Sequence, residues 1–127
     1  MDKITQITAA AAPEPDGNNF SNCLKAGNQL FLSGMIASNP GADAYTQSLS
    51  CLGKIKALVE AAGGKMTDVV KLTVFLTNID HRSEFTRARA EFFPGRKPCS
   101  TLVGINTLAR PGLVVEVEAT AIVSGGD

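Results

Sequence analysis

The sequence predicts an α+β fold in which a mixed six-stranded sheet carries two helices on one face. Two runs of apolar residues at three- and four-residue steps indicate the helices, and several alternating runs indicate the strands. The order of these runs is ββ(β)αβαββ, which favours a mixed sheet. No repeat, linker or low-complexity tract interrupts the 127 residues, so we expect a single domain over residues 1–127.

The first three strands are expected at residues 4–8, 20–25 and 29–36. The last two form a hairpin, because the turn-prone triplet Ala26-Gly27-Asn28 separates them. Ser33-Gly34 lies inside the third strand, where a glycine often marks a bulge or a close backbone approach.

The first helix is expected to begin after Asp43, which can cap it, and to end at Gly63-Gly64. Its apolar face comprises Leu49, Leu52, Ile55, Leu58, Val59 and Ala62. Residues 69–77 then alternate as a strand.

A second helix follows, with Asp80 as the predicted cap and Pro94-Gly95 as the stop. Phe85, Ala88 and Phe92 form its predicted inner side. Strands at residues 99–106 and 113–123 complete the chain.

Two glutamates stand in the last strand, on the face opposite its main apolar row. Glu116 and Glu118 share that face with Val114, Thr120 and Ile122. A buried carboxylate needs a partner or water, so this face is either partly solvated or paired with cations at a subunit contact. The alternative is functional: a glutamate of this face, with a raised pKa, acts as a general acid or base.

Composition excludes several functions. Lys plus Arg equals Asp plus Glu at 12 each, which argues against a nucleic-acid or membrane-surface partner. Cys23, Cys51 and Cys99 match no ligand pattern and His81 is the only histidine, so we expect no metal site and reduced thiols. The N-terminus lacks a signal-peptide layout, and the expected location is the cytoplasm.

Several blocks of the sequence resemble one family. They are residues 26–34, the stretch 57–76, the run Glu91-Phe92-Phe93-Pro94 with Pro98, and residues 115–121. Their order and content are similar to the RidA/YjgF family of reactive-intermediate deaminases. The resemblance implies a chorismate-mutase-like fold and a homotrimer with three clefts between subunits. It also implies hydrolysis of imines and enamines, such as 2-aminoacrylate, to ketoacids and ammonia without a cofactor.

The resemblance also implies roles for individual residues. Glu118 would position or activate the attacking water, and Ser33-Gly34 would supply backbone contacts. Phe20 stands at the position of a family tyrosine, and Thr86 at that of an asparagine. These residues would line the cleft together with Ser100 and Thr101, whose hydroxyls can donate hydrogen bonds.

The chain departs from the family at the substrate clamp. The family motif Pro-Ala-Arg-Ser reads Pro98-Cys99-Ser100-Thr101 here, so Ser100 replaces the arginine that grips a carboxylate. A serine has no planar, charged fork, which argues against the archetypal 2-aminoacrylate activity. Arg89, Arg96 or Arg110 is either a substitute or a solvated surface charge, and Cys99 invites a nucleophile hypothesis that lacks a neighbouring histidine.

The sequence therefore predicts a RidA-like hydrolase of a small unsaturated nitrogen compound. The alternative is a non-catalytic trimer that binds a metabolite or another protein, and the missing arginine favours it. Ribonuclease activity ranks last, because the balanced charge provides no RNA surface.

Overall fold

A computed structural model describes residues 3–123, with the backbone alone at Asn18. The strands are β1 (Ile4–Ile7), β2 (Cys23–Ala26), β3 (Gln29–Ile36), β4 (Val69–Leu76), β5 (Cys99–Gly104) and β6 (Val115–Ile122), and the helices are α1 (Ala44–Ala61) and α2 (Arg82–Phe92). The strands form one sheet in the order β1-β2-β3-β6-β4-β5. Only β4 and β5 are parallel neighbours; the other pairs are antiparallel. The predicted mixed six-stranded sheet with two helices is confirmed.

Helix α1 begins and ends where the sequence signals lie. The Asp43 side chain accepts a hydrogen bond from the Thr46 backbone N–H at 2.7 Å, which satisfies one of the free N–H groups at the helix start. At the other end Gly63 adopts φ 87°, a conformation that glycine enters without steric cost. The helix packs on β3 and β6 with Leu52, Ile55 and Leu58 fully buried.

Helix α2 begins later than predicted, and it ends just before Pro94-Gly95, as predicted. Asp80 does not cap it, because residues Ile79–His81 form a short 3-10 turn in which Asn78 Oδ1 accepts from the Asp80 N–H. The helix starts after that turn, at Arg82. On its inner side Phe85 and Ala88 are buried as predicted, but at the end of the helix Phe93, not Phe92, is the fully buried residue.

Strand β6 confirms the predicted alternation. Its helix-facing row is buried and comprises Val115, Val117, Ala119 and Ala121, flanked by Leu113 and Val123. Burying one valine side chain contributes roughly 1.5–3 kcal/mol. Because this row packs toward the helices, the other face of β6, with Glu116 and Glu118, turns away from them. We call that side of the sheet the outer face.

Strand β2 begins later in the sequence than predicted. Residues 20–22 precede the ladder, which begins at Cys23, because Asn22 directs its side-chain amide to the carbonyls of Ala12 and Pro13. Phe20 is consequently outside the strand and 57% exposed.

Strand β3 carries the predicted bulge. Leu32 pairs with Ala119 and Met35 pairs with Val117, so two residues of β3, Ser33 and Gly34, lie opposite the single residue between them on β6. That residue is Glu118. A bulge of this kind re-aims side chains and interrupts the ladder locally.

The outer face leaves apolar side chains in contact with solvent. Leu24 and Phe31 are direct neighbours across β2 and β3, and they are 37% and 49% exposed. Ile122 on β6 and Val103 on β5 are exposed as well. Among residues 3–123, neither helix has the length and apolar character needed to cross a bilayer.

Candidate functional site

A carboxylate lies directly over the backbone of the β3 bulge. A Cβ built on Gly34 would lie 2.0 Å from Glu116 Oε2 and 2.8 Å from its Cγ. No side chain fits in that space. Glycine at position 34 therefore admits the Glu116 carboxylate to the bulge.

The environment of Glu116 favours its protonated form. The side chain is half-buried, and loss of hydration raises its pKa above the ordinary 4.5; the negative charge of Glu118 raises it further. A carboxyl group whose protonated form is favoured in this way is a candidate proton donor.

Glu118 occupies a more open position opposite the bulge. It is exposed and lines a shallow depression of about 120 Å³ with Lys71, Thr73, Ala119 and Thr120. Water reaches it freely. The structure thus places Glu118 opposite Ser33 and Gly34 and adds Glu116 to them.

Ser33 holds the bulge in place rather than presenting a free hydroxyl. Its Oγ donates to the Ser21 carbonyl at 2.7 Å, and its backbone N–H donates to the Asn22 carbonyl at 2.8 Å. These bonds tie the bulge to the segment that precedes β2. Phe20 directly precedes Ser21 in that segment, so its exposed ring is connected to the same hydrogen-bonded contact.

Thr101 lies on the outer face as well. Thr73 of β4 pairs with Thr101 on one side and with Glu118 on the other, so the three residues form a row across the sheet. At the usual strand spacing, Thr101 and Glu118 are roughly 10 Å apart.

Ser100 points to the opposite side of the sheet. It pairs with Leu72, which is fully buried beneath the helices, and neighbouring residues in a strand face opposite ways. Its hydroxyl accepts a hydrogen bond from Arg89 Nη1 of α2 at 3.0 Å.

A cavity of about 470 Å³ opens where α2 meets β5. Its lining comprises Thr86, Arg89, Ala90, Phe93, Lys97, Pro98 and Ser100. We call it the α2–β5 cavity. It brings together two predicted site residues, Thr86 and Ser100, but within one chain they lie on the other side of the sheet from Glu118.

The three arginines considered as substitutes differ in position. Arg89 lines the cavity. Arg96 donates to the Thr67 carbonyl, and Arg110 stands in the turn before β6 and is absent from the lining. Lys97, which with Arg96 directly precedes Pro98, lines it too.

One signal in the sequence points toward this cavity. Thr86, Arg89 and Phe93 follow one another at three- and four-residue steps, which places them on one face of a helix. No local pattern indicated the contact between Glu116 and Gly34, because it joins residues 82 positions apart through strand register.

The cysteines divide into two classes. Burial raises the pKa of Cys23 to about 11 and that of Cys51 to about 12, which keeps both thiols protonated and unreactive. Cys99 is exposed and pairs in register with Lys71 on the outer face.

Comparisons with known proteins agree with the architecture. The sequence model of the family described as Endoribonuclease L-PSP matches residues 9–123. A RutC family protein of Pyrococcus horikoshii is 35% identical, over 87% of this chain and 90% of its own length. A Dermatophagoides farinae protein named 2-iminobutanoate/2-iminopropanoate deaminase is 32% identical, over 92% of this chain and 94% of its own length.

Solved structures show the same likeness. A protein of unknown function from Pseudomonas aeruginosa matches with a TM-score of 0.92 at 40% identity, over 98% of this chain and 95% of that one. The YjgF gene product of Escherichia coli matches with a TM-score of 0.86 at 30% identity, over 93% of this chain and 98% of that one. Because each match spans nearly the whole of both chains, the likeness concerns the complete fold rather than one motif.

Proposed function

Because the chain belongs to the RidA/YjgF family, we propose that it hydrolyses the C=N bond of small imines, including those formed from enamines. The observation that carries the proposal is the carboxylate pair at the bulge. Glu116 is desolvated beside Gly34 and has a raised pKa, while Glu118 is open to water on the same face.

The reaction moves two protons from water to nitrogen, one as water adds to the C=N carbon and one as ammonia leaves. Water adds to the C=N carbon, the resulting carbinolamine loses ammonia, and the sum is R₂C=NH + H₂O → R₂C=O + NH₃. Glu118, exposed to solvent, orients the water and accepts its proton. Glu116 in its protonated form delivers the first proton to nitrogen. As ammonia leaves, Glu118 gives its proton to nitrogen and Glu116 accepts one from the carbinolamine hydroxyl, so both groups regain their starting states.

We further propose that the working form is a homotrimer with the sites in clefts between subunits. Support comes from the two clusters on opposite sides of the sheet. A small substrate can touch both Glu118 and Ser100 only where two chains meet. The exposed apolar side chains Leu24 and Phe31 on the outer face are suited to such a contact. With three free cysteines, we propose the cytoplasm as the location.

The experiment compares Glu118→Gln with the wild type in the presence of an amino-acid oxidase that generates imines in situ. Wild-type protein should accelerate ammonia release, and Glu118→Gln should lower that rate by about 10²–10⁴-fold while leaving the oligomer intact. Glu60→Gln is the matched control, since it removes an exposed carboxylate on α1 that pairs only with Lys56. Equal rates for Glu118→Gln and wild type would remove Glu118 from the mechanism.

A second candidate function rests on Ser100. Replacement of the family arginine favours a binding protein that senses a metabolite without turning it over. That function predicts ligand-induced thermal shifts with no acceleration of ammonia release in the same oxidase mixtures.

A further inference from the structure

We propose that the α2–β5 cavity is a carboxylate-binding site in which Arg89, delivered by helix α2, is the principal anion-binding group. This inference rests on the proposed function in one respect only: the anion it names is the carboxylate of a 2-imino acid substrate or of its 2-oxo acid product.

The position of the Arg89 guanidinium carries the proposal. Its Nη1 lies 3.0 Å from Ser100 Oγ, so a guanidinium reaches position 100 of the sheet even though the residue there is serine. The short serine side chain leaves the space that the arginine occupies. An arginine at position 100 would bring two like charges together at this point, which is unfavourable.

The arginine is held before any ligand arrives. Arg89 Cζ lies 5.4 Å from the ring centroid of Phe85, one turn earlier on α2, a distance at which a guanidinium is attracted to an aromatic face. Phe85 is fully buried, so the ring is a fixed support. With the ring on one side and Ser100 on the other, little side-chain freedom is left to lose on binding.

The charge of the cavity selects an anion. Among the residues that the structure describes, Arg89 and Lys97 are the charged members of the lining, and no carboxylate lies in it. Lys97 Nζ donates to the Phe93 carbonyl, which uses one of the three hydrogens of its ammonium group. The others remain available, and Thr86 adds a hydroxyl.

Size and shape favour a small planar anion. A volume of about 470 Å³ lies within the ordinary range for small-molecule sites, about 300–1,000 Å³. A guanidinium binds a carboxylate through two parallel N–H···O bonds, a geometry that an ammonium lacks. The site should therefore discriminate a 2-oxo or 2-imino acid from its uncharged ester.

Two other cations near α2, Arg96 and Arg87, are engaged elsewhere. Arg96 donates to the Thr67 carbonyl. Arg87 lies over the Tyr45 ring, with its Cζ 4.0 Å from the centroid, and does not line the cavity. Arg87 is two residues from Arg89 on the same helix, which makes it a matched control for loss of charge.

The test is a titration with pyruvate, followed by heteronuclear NMR, with methyl pyruvate as the uncharged probe. Wild-type protein should bind pyruvate with shifts centred on Thr86, Ser100 and Lys97, and should bind methyl pyruvate at least tenfold more weakly. Arg89→Gln should raise the Kd for pyruvate by about tenfold or more. Arg87→Gln should leave it unchanged.

A second variant separates a charge effect from a folding effect. Arg89→Gln combined with Ser100→Arg returns a guanidinium to the cavity from the strand instead of the helix, and it should restore pyruvate binding to within about threefold of wild type. Rescue of this kind cannot arise if Arg89→Gln merely disturbed the fold. The inference is overturned if wild type shows no pyruvate binding at this cavity, or if Arg89→Gln binds as tightly as wild type.

The binding test and the turnover test fail separately. If pyruvate binding depends on Arg89 but the protein never accelerates ammonia release, the carboxylate-site proposal is supported and the hydrolase proposal is contradicted. If imine turnover is unchanged by Arg89→Gln, the hydrolase proposal is supported and the carboxylate-site proposal is contradicted.

Discussion

The outer-face bulge and the α2–β5 cavity have opposite chemistry on opposite sides of one sheet. The bulge gathers two carboxylates, Glu116 and Glu118, over a backbone that only glycine leaves open. The cavity gathers two cations, Arg89 and Lys97, around a serine. Carboxylates suit proton transfer and cations suit holding an anionic substrate. The bulge therefore offers groups for proton transfer, and the cavity offers groups for anion binding.

The difference also bears on assembly. Adjacent residues of a strand face opposite ways, so Ser100 and Thr101 cannot both serve one side of the sheet in one chain. If both regions act on one substrate molecule, they must come from different subunits. This is the feature that the following experiments test.

The largest expected effect is recovery of activity by mixing two inactive subunits. Glu118→Gln and Arg89→Gln proteins should each turn over a 2-imino acid poorly. When they are co-expressed, about one quarter of the sites in random trimers should receive an intact glutamate from one chain and an intact arginine from its neighbour. Imine-dependent ammonia release measures the recovery.

Light scattering on the same samples checks the assembly. Three chains of 13.3 kDa give a mass of about 40 kDa for a closed trimer. A clean monomer would overturn the trimer, and mixed subunits that stay inactive would mean that the two regions do not share a substrate.

A smaller effect is expected at the bulge itself. Gly34→Ala places a methyl group 2.0 Å from the present position of Glu116 Oε2, so the carboxylate must move away. We expect turnover to fall by about 100-fold, the usual scale for a displacement of a catalytic group by about 1 Å, and stability to fall by about 1–3 kcal/mol.

Gly53→Ala is the control for that substitution. Gly53 lies within α1, and a Cβ there meets nothing within 4 Å. Alanine should stabilise the helix by about 0.5–1 kcal/mol and leave turnover unchanged. If Gly34→Ala retained full activity, the position of Glu116 beside the bulge would have no catalytic meaning.

The smallest effect is a pH-dependent change in stability. The pKa of Glu116 is higher in the folded chain than in the unfolded one, because burial and then Glu118 disfavour its ionised form. Its contribution to folding is therefore complete at pH values below the unfolded pKa and is lost as pH rises through the folded pKa. Glu116→Gln should raise the Tm at pH 7 relative to wild type and change it less at pH 4.

Thermal melts at the two pH values measure this difference, and Glu60→Gln on the surface of α1 serves as the control. The same Glu116→Gln protein should lose imine turnover, because glutamine cannot deliver a proton. A Tm that falls equally at both pH values would contradict the assignment of Glu116 as a destabilised anion.

Strand and helix positions could be predicted wherever a single physical pattern dominated. The cap at Asp43 and the turn at Gly63 define α1 because both act on neighbouring residues. Prediction failed at Asp80, where an intervening 3-10 turn uses Asn78 as the acceptor. It also failed at Phe20, because side-chain bonds from Asn22 to a distant loop delay the start of β2.

The candidate site was only partly predictable for a related reason. The sequence singled out Glu118, Ser33-Gly34 and Ser100, since each breaks or continues a recognisable motif. It left Arg89 among three equivalent arginines, because charge alone does not reveal where a long side chain points. The hydrogen bond to Ser100 distinguishes it.

By itself the sequence determined the alternating rows of β6, the two helical faces and the glycine in β3, since these depend on residues a few positions apart. The tertiary structure decided which residues from distant segments contact one another. It set Glu116 against Gly34 through strand register, and it set Arg89 against Ser100 through the packing of α2 beside β5. Such contacts join segments far apart in the chain, and only the burial of the shared core fixes their alignment.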